Sequence, residues 1–198
     1  MKKNIISFLL SITFFIFISC KTTDLIPGSN RIKIQNIYNE YLNIANVYYE
    51  LEKFDKAIEY YTLAMDSKEL YWACYYKLVQ CYALTSKWSQ AEEHYVVLQK
   101  RDPENSSIKA SLAYIKALNG QVEEAKKIYE ELIEQFPENQ LFLENYIAIL
   151  FLEKNTAEIA VPLSVLKDLF PESANITKIE NQLKNELEKQ KQEEIKKE

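Results

Sequence analysis

Two stretches of the sequence, WSQAEEHYVVLQKRDP at residues 88–103 and VEEAKKIYEELIEQFP at residues 122–137, carry one pattern 34 residues apart. In each stretch an alanine is followed four residues later by a tyrosine and seven residues later by a leucine, and the stretch ends on a proline. Residues at i, i+4 and i+7 share one face of an α-helix. Each stretch therefore predicts an amphipathic helix that is followed by a turn.

The same 34-residue step continues on both sides of these stretches. Residues that recur at this step over several units indicate stacked supersecondary units, and the small alanine lets two helices approach closely. The repeated positions are Ala57, Ala91 and Ala125, then Tyr61, Tyr95 and Tyr129, then Pro103, Pro137 and Pro171. Each unit also has a first helix, marked by Tyr41/Ile44/Ala45/Tyr48 in the first unit and by Tyr75/Leu78/Val79/Tyr82 in the second.

This 34-residue pattern resembles the tetratricopeptide repeat. In order along the unit, it consists of an aromatic residue, Leu with a small residue, Tyr, Ala, an aromatic residue and Pro. The resemblance implies an all-α fold, a right-handed α-solenoid of about four helix pairs that stack to bury a continuous core. The units run 38–71, 72–105, 106–139 and 140–173 within a repeat region at 36–173.

The fourth unit is degenerate, because Ile159 replaces the alanine and Leu163 replaces the aromatic residue. Pro162 falls inside its second helix, where the missing backbone donor is expected to kink or delay the helix. Residues 174–198 are predicted to form a C-terminal capping helix and a charged tail, with the tail beyond residue 187 a solvated or frayed helix end. The apolar stripe of the cap is Ile176, Ile179, Leu183 and Leu187.

The N-terminal residues have the pattern of an export signal. Two lysines precede an apolar run at residues 5–18 that is shorter than the roughly 20 residues of a membrane span, which predicts a signal peptide over 1–19. An uncleaved anchor is the alternative. The sequence FISC at residues 17–20 resembles the bacterial lipobox, and this implies that Cys20 is acylated. Residues 20–35 are expected to be the lipidated cysteine and a flexible tether.

Composition excludes several classes of function. The chain has two glycines, one histidine and a net charge of −5, so phosphate-cradling loops, His-rich metal sites and nucleic-acid binding are not expected. No nucleophile elbow or metal-ligand spacing is present, and we expect neither an enzyme nor a cofactor nor a bound metal. Cys74 and Cys81 lie two helical turns apart, about 10.5 Å between Cα atoms, too far for a disulfide, and are expected to be buried thiols.

In the family the first helices of successive units line a concave groove, and reading its positions here gives an apolar and aromatic surface. Leu84, Leu118 and Leu152 repeat in register and are expected to pack between units instead. Aromatic anchors with amide groups favour a peptide or helix as occupant. Of the Lys, Asn and Arg positions that clamp acidic chaperone tails in the family, only Asn46 is matched, so binding of such a tail is not favoured. The predicted partner-binding residues are Leu42, Asn46, Tyr49, Tyr76, Gln80, Tyr114 and Phe151.

These features predict a bacterial tetratricopeptide repeat lipoprotein that acts as a membrane-anchored scaffold or adaptor of the cell envelope. Its partner would be another envelope protein or a peptide segment, bound in the groove, and its membrane contact would be the lipid anchor. A surface-displayed lipoprotein that binds a host or environmental ligand is the alternative. Lys21 after Cys20 favours the periplasmic side of the outer membrane over the inner membrane. A homo-oligomer is expected if the first or fourth unit exposes an apolar face.

Overall fold

The computed structural model describes residues 29–195, and within this range the chain forms nine α-helices and no strand. The predicted signal peptide, Cys20, the tether up to residue 28 and the last three residues lie outside the described residues. The helices are α1 Ser29–Glu50, α2 Phe54–Ala64, α3 Tyr71–Leu84, α4 Trp88–Arg101, α5 Ser106–Leu118, α6 Val122–Gln135, α7 Gln140–Leu152, α8 Ala160–Leu169 and α9 Ile176–Ile195.

The helices stack in chain order as an all-α solenoid. Each helix from α1 to α8 packs on the next one along the chain, α9 packs on α8, and the first helices α5 and α7 also touch each other directly. The repeated small residues lie at the helix crossings, since Ala57, Ala91 and Ala125 are all 0% exposed. Larger side chains there would force the helices of a pair apart. The repeated tyrosines and leucines are buried beside them.

The turn between the two helices of a unit has the same geometry in all four units. A residue with positive φ follows each first helix at the 34-residue step: Glu52, Ser86, Gly120 and Lys154. The next backbone N–H in each turn donates to a carbonyl five residues earlier, as from Lys53 to Tyr48 at 2.9 Å and from Gln121 to Lys116 at 2.8 Å. This pairing satisfies carbonyl groups that the helix end would otherwise leave free.

Asparagine caps the first helices of the third and fourth units. The Asn105 side chain accepts a hydrogen bond from the backbone N–H of Ile108 at 3.2 Å, and Asn139 accepts one from Phe142 at 3.4 Å. Asn105 and Asn139 are the N-cap residues of α5 and α7. Each follows a periodic proline by two residues. The proline ends the preceding helix, and the asparagine begins the next one.

The second helix of the fourth unit begins late, as predicted from Pro162. The second helices of the first three units begin at residues 54, 88 and 122, whereas α8 begins at Ala160 rather than at residue 156. Pro162 lies in the first turn of α8, where its missing N–H breaks no helical hydrogen bond. Ile159 and Leu163 still fill the core, at 0% and 6% exposure.

The structure corrects two predictions about the ends of the repeat region. Residues 29–35, predicted to belong to the flexible tether, are helical, because the contact face of α1 continues back to the half-buried Gln35, which accepts a hydrogen bond from the buried Ser67 hydroxyl at 3.3 Å. In the cap, Ile179 is buried as predicted, but Leu187 is 41% exposed and does not complete the buried stripe. No helix between residues 29 and 195 combines the length and the apolar character needed to cross a membrane.

Candidate interaction groove

Two adjoining cavities lie along the first helices of the units. The upstream cavity, of about 530 Å³, lies between α3, α4 and α5 and reaches α7, and the downstream cavity, of about 470 Å³, lies between α5, α7 and α9. Tyr114 on α5 and Asn145 on α7 line both cavities. The two cavities therefore adjoin at these two residues, and we name them together the groove, with Tyr114 at its middle.

The upstream cavity is mainly apolar and aromatic. Leu84 and Leu118 line it together with Trp88, and Leu152 lines the downstream cavity. Leu84 is 52% exposed and Leu152 47% exposed, so the prediction that this leucine series packs between units is wrong for both, and Leu118 is only half-buried. These leucines lie in the last turn of each first helix, where the neighbouring helix no longer covers them, and they add apolar surface to the groove.

The downstream cavity combines apolar residues with amide groups. Phe151 and Leu141 from α7 line one side, and Asn175, Lys178 and Gln182 from the start and first turns of α9 line the other. The sequence prediction missed the contribution of α9, because it treated that segment only as a cap. The available signal was that Asn175 and Gln182, four residues before and three residues after Ile179, share its face of the predicted helix.

The polar groups of the downstream cavity are held in place. The Glu144 carboxylate accepts hydrogen bonds from the Ser173 hydroxyl at 2.7 Å and from the Asn175 amide at 2.8 Å, which ties α9 to α7. The Asn145 amide donates to the Tyr129 hydroxyl at 3.2 Å, and that hydroxyl donates to the Ala110 carbonyl oxygen at 2.7 Å. Asn145 is thus connected to the buried core and presents its side chain to the groove in one orientation.

Two of the predicted residues, Tyr49 on α1 and Gln80 on α3, contact each other but line neither of the two cavities. The Tyr49 hydroxyl lies 3.5 Å from the Gln80 Oε1 atom, and the Lys77 ammonium lies 4.5 Å from the centre of the Tyr49 ring. Burial raises the pKa of Tyr49, so its hydroxyl stays protonated and acts as a donor. Asn46 is exposed, and its Oδ1 atom accepts a hydrogen bond from Tyr61 at 2.8 Å.

The other predicted residues are placed differently. Tyr114 and Phe151 line the downstream cavity, as described, whereas neither Leu42 nor Tyr76 lines either of the two cavities. Leu42 is half-buried against the core. The Tyr76 hydroxyl accepts a hydrogen bond from Arg101 at 3.3 Å, and the Arg101 guanidinium lies 4.2 Å from the centre of the Trp72 ring. These contacts hold Tyr76 against the end of α4.

The thiols are buried and unreactive in character. Cys74 and Cys81 are both 0% exposed and unpaired, and burial raises the pKa of both thiols, that of Cys81 to about 11. Both are therefore protonated at neutral pH and poor nucleophiles. Between residues 29 and 195, no group of three or more His, Cys, Asp or Glu side chains is arranged to hold a metal ion.

Comparisons with known proteins agree with this architecture. Two tetratricopeptide repeat family models match the chain, at residues 41–69 and 108–139. A Treponema pallidum (strain Nichols) protein described as an uncharacterized lipoprotein is 26% identical over 137 residues, which cover 69% of this chain and 70% of the relative.

Solved structures show the same fold. A tetratricopeptide repeat protein from Parabacteroides merdae superposes with a TM-score of 0.59 at 17% identity, over 77% of this chain and 60% of its own. YrrB, described as a tetratricopeptide repeat protein with an unusual peptide-binding site, superposes with a TM-score of 0.52 at 16% identity, over 69% of this chain and 70% of its own. With helix pairs at a 34-residue step and family models that match at residues 41–69 and 108–139, the chain contains tetratricopeptide repeats within a solenoid of the same fold as these proteins.

Proposed function

We propose that the protein is a lipid-anchored scaffold of the bacterial cell envelope, which binds a peptide or helix of another envelope protein in the groove between α3, α5, α7 and α9. The fold is that of a protein-interaction scaffold. The observation that carries the proposal is that the two cavities adjoin at Tyr114 and Asn145 and follow the first helices of successive units, because an elongated surface suits an extended or helical segment better than a compact small molecule.

The chemistry of the groove fits a peptide. Tyr114, Phe151, Leu84 and Leu152 offer apolar and aromatic surface, which supplies most of the binding energy at protein interfaces. The Asn145 amide, held by Tyr129, can pair with the backbone groups of a bound segment. A preorganised amide loses little conformational freedom when the partner binds.

The membrane anchor is proposed from Cys20 and from the description of the Treponema pallidum relative as a lipoprotein. Helix α1 begins at Ser29, so eight residues, 21–28, connect Cys20 to the repeat domain. Eight residues span at most about 29 Å when fully extended. The groove would therefore work close to the membrane surface, and we place it on the periplasmic side of the outer membrane.

Site-specific photo-crosslinking in intact cells tests the groove. A photoreactive amino acid at Tyr114 is compared with the same amino acid at Lys127, an exposed residue of α6. We expect one envelope protein to be captured from position 114 and not from position 127. This capture is expected to be lost when the chain with the probe at position 114 also carries Leu152→Glu. Equal capture from both positions, or none from position 114, contradicts groove binding.

Labelling with a palmitate analogue tests the anchor independently. The full chain is expected to incorporate the label, and Cys20→Ala is expected to lose it and leave the membrane fraction. Protease treatment of intact cells then separates the two locations: protection of the repeat domain supports the periplasmic side, and digestion supports the surface-displayed lipoprotein that binds an external ligand.

A further inference from the structure

Helix α1 and the residue directly after it expose a row of apolar side chains, which we name the α1 stripe: Ile37, Ile44 and Val47 in the helix, and Leu51, whose N–H still donates to the Val47 carbonyl oxygen at 3.1 Å. Their exposed fractions are 49%, 36%, 58% and 57%. Ile37, Ile44 and Leu51 are seven residues apart and Val47 follows Ile44 by three, so the four side chains lie along one face of the helix. This face is on the opposite side of α1 from Asn46, which the sequence predicts to line the groove.

The same face is covered in the following units. One 34-residue step after Ile44 and Val47 come Leu78 and Cys81, which are 4% and 0% exposed, because α3 packs on α2. One step further, Leu112 and Ile115 are 3% and 4% exposed beneath the preceding helix pair. In the described chain α1 packs on α2, and its stripe is left without the helix that covers the equivalent residues elsewhere.

The α1 stripe is also longer than the repeat requires. The positions equivalent to Leu51 hold Thr85 and Asn119, which are polar turn residues. In α1 the apolar row instead runs through Ile37, Ile44 and Leu51 at heptad spacing, and α1 itself is 22 residues long against 14 for α3. Heptad spacing is typical of a seam between two long helices rather than of packing on a short helix pair.

From these features we propose that the α1 stripe is a homodimer interface, in which it packs antiparallel on the α1 stripe of a second copy of this chain. The stripe is self-complementary in this arrangement. With Ile44 at the two-fold axis, Ile37 of each copy lies opposite Leu51 of the other, and Glu40 lies opposite Tyr48, whose hydroxyl can donate to the carboxylate. A parallel pair would instead bring the two Glu40 carboxylates together, which destabilises the contact.

The residues beside the stripe favour a second copy over a lipid surface. Helices that lie on anionic membranes carry Lys and Arg along the edges of the apolar face. Here Asn36 and Asn43 follow one edge and Tyr41 and Tyr48 follow the other, while Lys33 and the acidic Glu40 lie within the row, one heptad apart. A row with uncharged edges and one charge of each sign matches its own copy better than an anionic surface, and two-fold pairing is the commonest symmetry of soluble oligomers.

Cysteine crosslinking of the full chain in its membranes tests the interface. After mild oxidation, Ile44→Cys is expected to give a covalent dimer that disappears on reduction. The wild-type chain and Asn39→Cys are the matched controls: Cys74 and Cys81 are buried, and Asn39 lies on α1 about 140° around the helix from Ile44. Neither control is expected to crosslink.

A mixed experiment tests the direction. Co-expressed tagged Ile37→Cys and untagged Leu51→Cys chains are expected to crosslink with each other, whereas Ile37→Cys alone is not. A dimer from Ile37→Cys alone overturns the antiparallel arrangement.

Light scattering of the detergent-solubilised chain gives the third measurement. Val47→Glu is expected to raise the dimer dissociation constant at least tenfold with unchanged helix content, and Asn39→Glu is expected to leave it unchanged. A wild-type chain that is monomeric at every concentration and gives no Ile44→Cys crosslink overturns the proposal, and the stripe is then covered by lipid, another protein or another segment of the chain.

Discussion

The imidazole of His94 on α4 lies parallel to the phenol ring of Tyr82 on α3, with the ring centres 5.1 Å apart and 4° between the planes. The His94 Nδ1 atom is also 2.8 Å from the Tyr75 hydroxyl, and the two rings meet edge to face. The structure shows a half-buried residue that joins the two helices of the second unit.

This contact predicts a pH dependence of stability. Burial lowers the pKa of His94 from 6.5, and the nearby Glu93 only partly opposes this effect. The unfolded state therefore binds the proton more readily, and the free energy of unfolding falls as the pH drops below 6.5 toward the lowered pKa. Urea unfolding at pH 7.5 and at pH 5.5 measures this loss of free energy of unfolding. In the control variant His94→Gln, the part of the pH dependence that comes from His94 is expected to disappear. The pKa values of Glu92 and Glu153 are lowered from 4.5, so their contributions are lost only below that pH.

The close helix crossing at Ala91 predicts a strong effect of side-chain size. Ala91→Phe is expected to destabilise the protein by about 1–3 kcal/mol or more, because Ala91 is 0% exposed and an added ring has no space at the crossing. Gln90→Phe on the neighbouring exposed position of α4 is the matched control and is expected to change the thermal midpoint little. Equal midpoints for the two variants contradict the observed packing of α3 on α4.

The positive φ in the equivalent turns predicts that introducing glycine stabilises the protein and that removing glycine destabilises it. Ser86 has a φ of 58°, a conformation that costs a non-glycine residue about 1–2 kcal/mol, and Ser86→Gly is expected to raise the free energy of unfolding by part of that amount. Gly120→Ala is expected to lower it, because Gly120 has a φ of 93° even though no atom within 4 Å would meet the new Cβ. Urea titrations of the two variants should shift in opposite directions.

The groove predicts a separation of binding from folding. Tyr114→Ala is expected to weaken binding of the captured partner at least tenfold, because aromatic anchors at the middle of an interface carry much of its energy. Lys127→Glu on the exposed side of α6 should leave binding unchanged. The measurement is the affinity of each purified variant for the partner, with far-UV circular dichroism to show that both remain helical. A loss that is the same for both variants means that Tyr114 is not a binding residue.

Much of the fold follows from local signals. The Ala91–Tyr95 spacing and its repeats predict the helix pairs and their close crossings, and Pro162 predicts the late start of α8. The candidate groove follows less completely. Tyr114 and Phe151 were predicted at the groove and lie there, but Leu84 and Leu152 were assigned to the core, and the wall contributed by Lys178 and Gln182 was missed. Which leucine is covered depends on where each neighbouring helix ends, and periodicity does not encode that endpoint.

By itself the sequence determined the structure of each repeat unit. Each repeat carries its own helical period, its small residues at the helix crossings and its turn residues at a 34-residue step, and these are local properties. Only the tertiary structure decided which surfaces are exposed and which are covered at the two ends of the helix stack. Helix α1 extends back to Ser29 and exposes its stripe, and α9 closes the downstream cavity through Asn175 and Glu144. Every inner unit has two neighbours to bury its apolar faces, whereas the first unit has only one within the described chain. The exposure of those faces is a property of the whole stack.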